Sequence, residues 1–265
     1  MRNENLDIKV APSSEDVGQF VANLILDGLA KARENNRDFI LGCPSGRTPR
    51  STLKALAEHV KSEQIDLSNL VVVMMDDYVK EVGSGKFENV SLEAHFSCRK
   101  WANLELRNQL NAHLPLEKQI KVENVRCPDG AATAEFESWI DELGGIDLFI
   151  LASGASDGHV AFNGPGEPRS SLTRIVTLTE KTRFDNLSTF PDFKDISDVP
   201  RFGASVGIST IADKSKSAVM ILLGESKREA FSVISSAKSY DPNWPATVIV
   251  ECPQAYLIAD QAAAR

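Results

Sequence analysis

The fold of this chain is decided by the stretch Asp38-Phe-Ile-Leu-Gly-Cys-Pro-Ser-Gly-Arg-Thr-Pro-Arg-Ser-Thr-Leu-Lys-Ala-Leu-Ala-Glu-His-Val60. It begins with an apolar run of strand length and continues through a turn rich in glycine and proline. It ends with Leu53, Leu56 and Val60 at the three- and four-residue spacing of an amphipathic helix. The order strand, loop, helix is the repeating unit of α/β proteins.

The same order recurs along the chain. Apolar runs predict strands at residues 69–75, 147–152, 218–224 and 246–251, and helical spacing predicts helices at 131–143, at 227–235 and over about 20 residues from Ser13. Because the strands are continuous apolar runs, they are typical of parallel strands buried on both faces. We therefore predict an α/β fold with a single doubly wound, mostly parallel, Rossmann-like sheet between helix layers, in one domain over residues 1–265. Residues 163–201, which are rich in proline and glycine at their start, are predicted to form a lid.

Composition and charge exclude several classes of protein. With 42% hydrophobic and 25% charged residues, the chain has average globular usage rather than the composition of a disordered segment. The net charge of −8 opposes attraction to nucleic acid or to anionic membranes. No apolar run approaches the ~18 residues of a membrane span, and the start of the chain lacks an apolar signal segment, so we expect a cytoplasmic protein. The four cysteines and four histidines are too dispersed to predict a disulfide framework or a zinc site.

Ligands of open α/β sheets bind at the carboxyl ends of the strands, so we expect the chemistry in the loops that leave the strands. Three of these loops carry polar side chains in suggestive patterns. In addition, Lys227 follows the predicted strand at 218–224, where it can reach a phosphate bound near the first of the three loops. An exposed lysine on a helix is the alternative interpretation.

The first loop, Gly42-Cys-Pro-Ser-Gly-Arg-Thr-Pro49, leads from a strand into a helix. The N–H groups of a first helical turn lack intrahelical partners and carry about half a positive charge, so the loop predicts an anion site. Gly46 allows close approach of the backbone to a phosphate, and Ser45, Arg47 and Thr48 add donors. An ordinary capped turn is the alternative, because the loop is not a Walker A motif.

The second loop contains two adjacent carboxylates, Asp76 and Asp77, directly after an apolar strand. At a sheet edge, one of two such carboxylates can have its pKa raised by partial burial and by the charge of the other. A raised pKa suits a base that transfers protons. The alternative is a solvated turn in which an aspartate caps the next helix.

The third loop, Ala152–Asn163, again follows a predicted strand. Gly154 and Gly158 allow a tight backbone path, and Asp157 and His159 are spaced to pair through a ring N–H, which would fix the imidazole tautomer. A lone histidine is commonly structural, which is the alternative here. Its position in a glycine-rich loop after a strand favours function.

Together and in this order, the loops resemble those of the glucosamine-6-phosphate deaminase/isomerase family and of the related 6-phosphogluconolactonases. The first loop, P-S-G-R-T-P, is similar to the family's P-T-G-G-T-P. Likewise M-D-D-Y resembles M-D-E-Y, and S-D-G-H-V-A-F-N resembles N-D-G-H-I-A-F-N. The segment Thr173–Arg183 and the motif Gly224-Glu-Ser-Lys227 resemble the deaminase branch. The resemblance spans most of the chain.

The resemblance implies a cofactor-free, metal-free enzyme that acts on a small phosphorylated sugar, and its members are often homo-oligomeric. Asp76 would be the base that moves a proton between C2 and C1 of the opened sugar. Asp157 and His159 would open the ring. The phosphate would be bound by four residues of the motifs, which are Ser45, Gly46, Thr48 and Lys227.

This chain departs from the family pattern at two positions. Gly164 stands where F-N-E-P has glutamate, and Glu167, three residues on, is a candidate replacement for the lost acid. Ser188 stands where the family carries a phosphate-binding arginine, and Arg47 is a candidate for the lost charge. The pattern also leaves a substrate or acid role open for Asp77.

The function predicted from the sequence is aldose–ketose isomerisation of a phosphorylated sugar or amino sugar, with or without release of ammonia. Two alternatives stay open at this point. One is hydrolysis of a phosphosugar lactone, and the other is sugar-phosphate binding without catalysis. Neither nucleic acid nor membrane is an expected partner.

Overall fold

The computed structural model describes residues 6–190 and 192–265, without the Ser188 side chain. The strands are β1 (Leu6–Ala11), β2 (Phe39–Cys43), β3 (Leu70–Met74), β4 (Asp76–Gly83), β5 (Lys86–Asn89), β6 (Val125–Arg126), β7 (Leu148–Ala152), β8 (Arg174–Thr177), β9 (Phe202–Ser205), β10 (Ala218–Leu222) and β11 (Ala255–Asp260). The α-helices are α1 (Ser14–Glu34), α2 (Arg50–Glu63), α3 (Cys98–Trp101), α4 (Gln109–Asn111), α5 (Thr133–Glu142), α6 (Glu180–Thr189), α7 (Ile208–Lys214) and α8 (Arg228–Ser236). A π-helical segment, Ala102–Asn108, joins α3 to α4, and short 3₁₀ turns include Glu225–Lys227 and Pro245–Glu251.

Seven strands form one parallel sheet in the order β1-β11-β10-β7-β2-β3-β6. Successive side chains of a strand point to opposite faces, and here both faces are buried. Ile40 packs in the core that includes α5, α7 and α8, whereas its neighbour Leu41 packs in the core that includes α1 and α2. This arrangement explains the continuous apolar runs and confirms the predicted fold class. Within residues 6–190 and 192–265, no helix is long and apolar enough to cross a bilayer.

A second sheet, which the sequence did not predict, stands beside the first. It is antiparallel, with the order β5-β4-β9-β8. Only Met75 separates β3 of the parallel sheet from β4 of the second sheet. The predicted lid at 163–201 contributes β8 to this sheet and α6 beside it. The segment is therefore built into the fold.

The predicted strand at 246–251 is wrong. The described chain forms the 3₁₀ helix Pro245–Glu251 there, and the sheet strand follows as β11, Ala255–Asp260. Pro245 occupies the first helical position, where its missing N–H costs no hydrogen bond. Residues 245–250 are buried on all sides, and a short apolar run buried all round does not distinguish a strand from a helical turn.

Candidate active site

A cavity of about 520 Å³ lies at the carboxyl ends of β2, β3, β7 and β10. The three loops predicted from the sequence converge on it, as expected for the carboxyl edge of a parallel sheet. It brings together seven predicted site residues, namely Ser45, Gly46, Arg47, Thr48, Asp76, His159 and Lys227. Three residues of α6 also line the cavity, namely Asp185, Asn186 and Thr189. A second cavity of about 390 Å³, beside the π-helical segment, contains none of the predicted site residues in its lining.

The first loop connects β2 to α2 and presents its backbone to the cavity. Gly46 has φ +85°, in the region that favours glycine, so the turn needs this residue. The Ser45 hydroxyl donates to Sγ of Cys98 at 3.3 Å, which ties the loop to the start of α3. Arg47 is exposed at the rim, and Thr48 is half-buried.

Lys227 also lines the cavity. Its Nζ donates to the Ser153 carbonyl oxygen at 2.5 Å. Burial lowers the pKa of this ammonium, and Arg47 lowers it further, whereas the charges of Asp185 and Asp157 act in the opposite direction. The preceding turn is fixed by Asp260, whose carboxylate accepts from the Gly224 N–H at 3.0 Å. A partly desolvated cation in this position suits an anionic ligand.

Asp76 begins β4 and is 7% exposed. Burial raises the pKa of its carboxyl from 3.8 to about 7, and the nearby charge of Asp77 acts in the same direction. The Cys98 thiol, with Sγ 3.6 Å from Oδ1 of Asp76, and the charge of His159 moderate this rise. At neutral pH the carboxyl is therefore poised between its protonated and ionised forms, which suits proton transfer.

Asp77 points to the opposite face of β4, because neighbouring residues of a strand alternate. It is fully buried, and its oxygens accept from the N–H groups of Tyr78 and Cys98 and from the side chains of Asn89 and Arg99, at 2.9–3.0 Å. Burial raises the pKa of Asp77, and these hydrogen bonds oppose the rise. The structure therefore places Asp77 away from the cavity, as an anchor for the start of β4.

In the third loop, Nδ1 of His159 lies 2.8 Å from Oδ1 of Asp157. Because an ionised carboxylate only accepts, this contact places the hydrogen on Nδ1 and leaves Nε2 for other partners. Burial opposes ionisation of Asp157, but the hydrogen bond and charge of His159 outweigh it and hold the pKa of this carboxyl below its usual value. A Cβ on Gly154 would lie 2.1 Å from Oδ1 of Asp157, so the pair requires glycine there.

Glu167 does not line the cavity. Its carboxylate pairs with Arg174 at 2.5 Å, and its carbonyl accepts from the Tyr240 hydroxyl. A Cβ on Gly164 would lie 2.8 Å from Cγ2 of Thr179, so the space beside this glycine is already occupied. The acid that the motif lacks at 164 is thus not supplied by this loop.

The acid near the histidine comes from α6, which the sequence analysis missed. One carboxylate oxygen of Asp185 lies within 4.8 Å of ligand atoms of both Asp157 and His159. The cavity-lining positions 185, 186, 189 and 190 follow helical spacing, which is the signal that could have drawn attention to this face of α6. One histidine and two carboxylates are also ligands that divalent cations accept.

Comparison with known proteins gives a consistent family assignment. The family model for glucosamine-6-phosphate isomerases/6-phosphogluconolactonase matches residues 12–258. A glucosamine-6-phosphate isomerase from Candida albicans is 32% identical over 255 residues, which cover 94% of each chain. A glucosamine-6-phosphate deaminase from Malacoplasma penetrans is 30% identical over 252 residues, with 94% of this chain and 95% of the relative covered.

Solved structures show the same fold. A monomeric glucosamine-6-phosphate deaminase superposes with a TM-score of 0.81 at 25% identity, covering 97% of this chain and 98% of that one. A 6-phosphogluconolactonase from Thermotoga maritima superposes with a TM-score of 0.64 at 16% identity, covering 97% of this chain and 100% of that one. At this lower identity the likeness concerns the fold alone.

Proposed function

The chain belongs to the family of glucosamine-6-phosphate isomerases and 6-phosphogluconolactonases, and from this we propose that it is a sugar-phosphate isomerase of the deaminase type. The overall reaction is conversion of a 2-amino-2-deoxyhexose 6-phosphate and water into a ketohexose 6-phosphate and ammonia. The relatives that cover nearly the whole chain carry names of this activity.

The phosphate is the handle by which the substrate is oriented. Ser45, Gly46, Arg47, Thr48 and Lys227 line one end of the cavity, and they combine backbone donors, hydroxyl groups and two cations. A charged hydrogen bond of this kind stabilises a complex by roughly 1.5–3 kcal/mol. These contacts would place the sugar carbons toward Asp76 and His159.

Ring opening is assigned to His159 and Asp157. Nε2 of His159 takes the proton of the anomeric hydroxyl, the ring C1–O5 bond breaks, and the imidazolium returns the proton to O5 to give the open aldehyde. Asp157, on the other ring nitrogen, holds the imidazole in one orientation and stabilises the positive charge that it acquires.

Isomerisation is assigned to Asp76. Its ionised carboxylate removes the proton from C2, and a proton from the solvent is added to O1 to form the enol with the amine still on C2. The carboxyl then delivers its proton to C1, which leaves a hydroxymethyl group at C1 and an iminium ion at C2. Water adds to C2, and the C2–N bond breaks to give the ketone and ammonia, with one proton returned to the solvent. A base with a pKa near 7 can both take and return this proton at neutral pH.

The observation that carries the proposal is the burial of Asp76 in the same cavity as the His159–Asp157 pair and the phosphate loop. A lactone hydrolase breaks no C–H bond and needs no base at this place. The test is a panel of phosphorylated hexosamines, hexoses and sugar lactones, assayed for ammonia, ketose and lactone opening. We expect ammonia and ketose in equal amounts from a hexosamine phosphate, and incorporation of solvent deuterium at C1 wherever exchange competes with internal transfer.

Two results would contradict the proposal. Opening of a phosphosugar lactone without any ammonia or ketose would indicate the hydrolase, which shares the fold. Stabilisation of the protein by phosphosugars without turnover of any of them would indicate a binding protein.

A further inference from the structure

Where α6 meets the cavity, His159 has two acidic neighbours, one more than the sequence motifs predict. Asp157 and His159 come from the loop after β7, whereas Asp185 comes from α6, and their ligand atoms lie within 4.8 Å of one another. Asp185 is half-buried and lines the cavity. The Asp185 carboxylate therefore lies beside the His159 imidazole, but it belongs to a different segment of the chain from the loop that carries His159.

Two lysines relate Asp185 and α6 to the rest of the site. Lys227 lies near enough for the charge of Asp185 to stabilise its ammonium. On the same helix, Lys181 donates from Nζ to the Ser156 carbonyl at 2.9 Å, which fastens α6 to the histidine loop. The hydrogen bond from Lys181 thus holds Asp185 over the pair.

Only one of the two carboxylate oxygens of Asp157 accepts hydrogen bonds within the described part of the chain. Oδ1 accepts from both the N–H and Nδ1 of His159, whereas Oδ2 is buried and has no hydrogen-bond partner within the described part of the chain. Both hydrogen bonds to Oδ1 of Asp157 therefore come from His159. A second acid beside the ring adds a negative charge that the Asp157 carboxylate does not supply.

We infer that Asp185 is a positioning residue for ring opening. This inference rests on the proposed function. It gives Asp185 of α6 the role of the acid that the motif lacks at Gly164. Glu167 does not provide that acid, because its carboxylate pairs with Arg174. When His159 takes the anomeric proton, two carboxylates flank the imidazolium, and opposite charges a few ångströms away stabilise it. Since Asp185 is carried by α6, the acid cluster is complete only while α6 is packed against the histidine loop.

The test compares Asp185→Asn, which removes the charge and keeps the size, with Asp185→Glu and with Glu180→Gln. Glu180 lies on the same helix but is exposed and outside the cavity lining, so its variant makes the same charge change without the contact. We expect Asp185→Asn to lower kcat by about tenfold or more with less than a twofold change in KM. We expect Asp185→Glu to restore part of the loss, and Glu180→Gln to stay within twofold of the unaltered protein.

A deuterium isotope effect separates a role in ring opening from damage to the fold. With substrate deuterated at C2, a variant slowed in ring opening shows a smaller isotope effect on kcat/KM than one slowed in C2 proton transfer. We therefore expect a smaller effect in Asp185→Asn than in Asp76→Glu, whose displaced carboxylate slows the C2 step. Equal isotope effects in the two variants would overturn the inference, as would unchanged kcat in Asp185→Asn.

Two further measurements keep the inference separate from the proposed function. The ¹⁵N resonances of the His159 ring should shift in Asp185→Asn and not in Glu180→Gln, whatever substrate the protein turns over. If the phosphosugar panel shows no turnover, this spectrum alone decides whether Asp185 acts on the imidazole. Activity that is lost on treatment with a chelator and restored by a divalent cation would indicate a metal site at the three residues and would also overturn the inference.

Discussion

Replacing Asp76 with asparagine should stabilise the protein at high pH while abolishing turnover. Burial raises the pKa of this carboxyl from 3.8 to about 7 in the folded protein, whereas in the unfolded chain it keeps its ordinary value. The folded state therefore binds the proton more tightly, and its contribution to stability is fully present below about pH 4 and is lost as the pH rises through 7. At pH 8.5 the buried charge costs roughly 4 kcal/mol, since each pKa unit corresponds to about 1.4 kcal/mol.

Asparagine is neutral and of similar size, so Asp76→Asn removes this cost. We expect the variant to be more stable than the unaltered protein by roughly 2–4 kcal/mol at pH 8.5, with the lower figure allowing for the lost contact with the Cys98 thiol. Below pH 4 the two proteins should be nearly equal. Turnover of a phosphorylated hexosamine should fall by at least about 10²–10⁴-fold, the usual contribution of a general base.

The assay is urea unfolding of both proteins at pH 5, 7 and 8.5, with ammonia release measured in parallel. The difference in the free energy of unfolding should grow with pH. If Asp76→Asn is less stable at pH 8.5, or if the difference does not depend on pH, the pKa of the Asp76 carboxyl is not raised in the folded protein. If turnover is retained, Asp76 is not the base.

Four further predictions concern the remaining parts of the site. Lys227→Ala should weaken binding of a phosphosugar by roughly 1.5–3 kcal/mol in calorimetric titration and leave a dephosphorylated sugar unaffected, and equal weakening of both would contradict a phosphate contact. Arg47→Gly should raise KM for the phosphosugar far more than it lowers kcat, and unchanged kinetics would show that this cation does not compensate for the missing family arginine. Cys98→Ala removes a donor that lowers the pKa of Asp76, so the rise of kcat/KM with pH should move to higher pH, and an unmoved profile would argue against the thiol contact. Gly154→Ala should reduce kcat by at least about tenfold with the thermal unfolding transition preserved, because a Cβ there displaces the histidine–aspartate pair, and full activity would contradict the close packing.

Much of the parallel sheet could be predicted from the sequence, for a physical reason. A strand that is buried on both faces has a continuous apolar run as its sequence. The run Leu70–Met74 is fully buried in the structure. The carboxyl ends of parallel strands share one edge, so loops far apart in the chain could be expected to meet. The convergence of the first and third loops on one cavity follows from that rule.

The second sheet could not be read in the same way. Its strands are short, and in β4 the burial changes from complete at Asp76–Val79 to exposed beyond. Its order joins strands that are distant in the chain, as β4 pairs with β9. Pairing of that kind depends on tertiary packing, which leaves no local periodicity in the sequence.

Asp185 escaped prediction for a related reason. It lies on a helix that is only weakly amphipathic. Its partners Asp157 and His159 lie 28 and 26 residues earlier in the chain. The motif pointed instead to Glu167, which is close in sequence to the histidine. The contact of Glu167 with Arg174 uses that carboxylate elsewhere.

The adjacency of Asp76 and Asp77 explains how a carboxyl with a raised pKa is held in place. One face of β4 buries Asp77 among four donors, which fixes the backbone, and the other face presents Asp76 to the cavity. Cys98 contacts both acids, with its N–H on Asp77 and its thiol on Asp76, and it accepts from Ser45 of the first loop. The proposed base and the proposed phosphate-binding loop are thus joined through one buried residue. Their separation is set by the fold before a substrate binds, and a preorganised base of this kind lowers the cost of aligning the C2 proton.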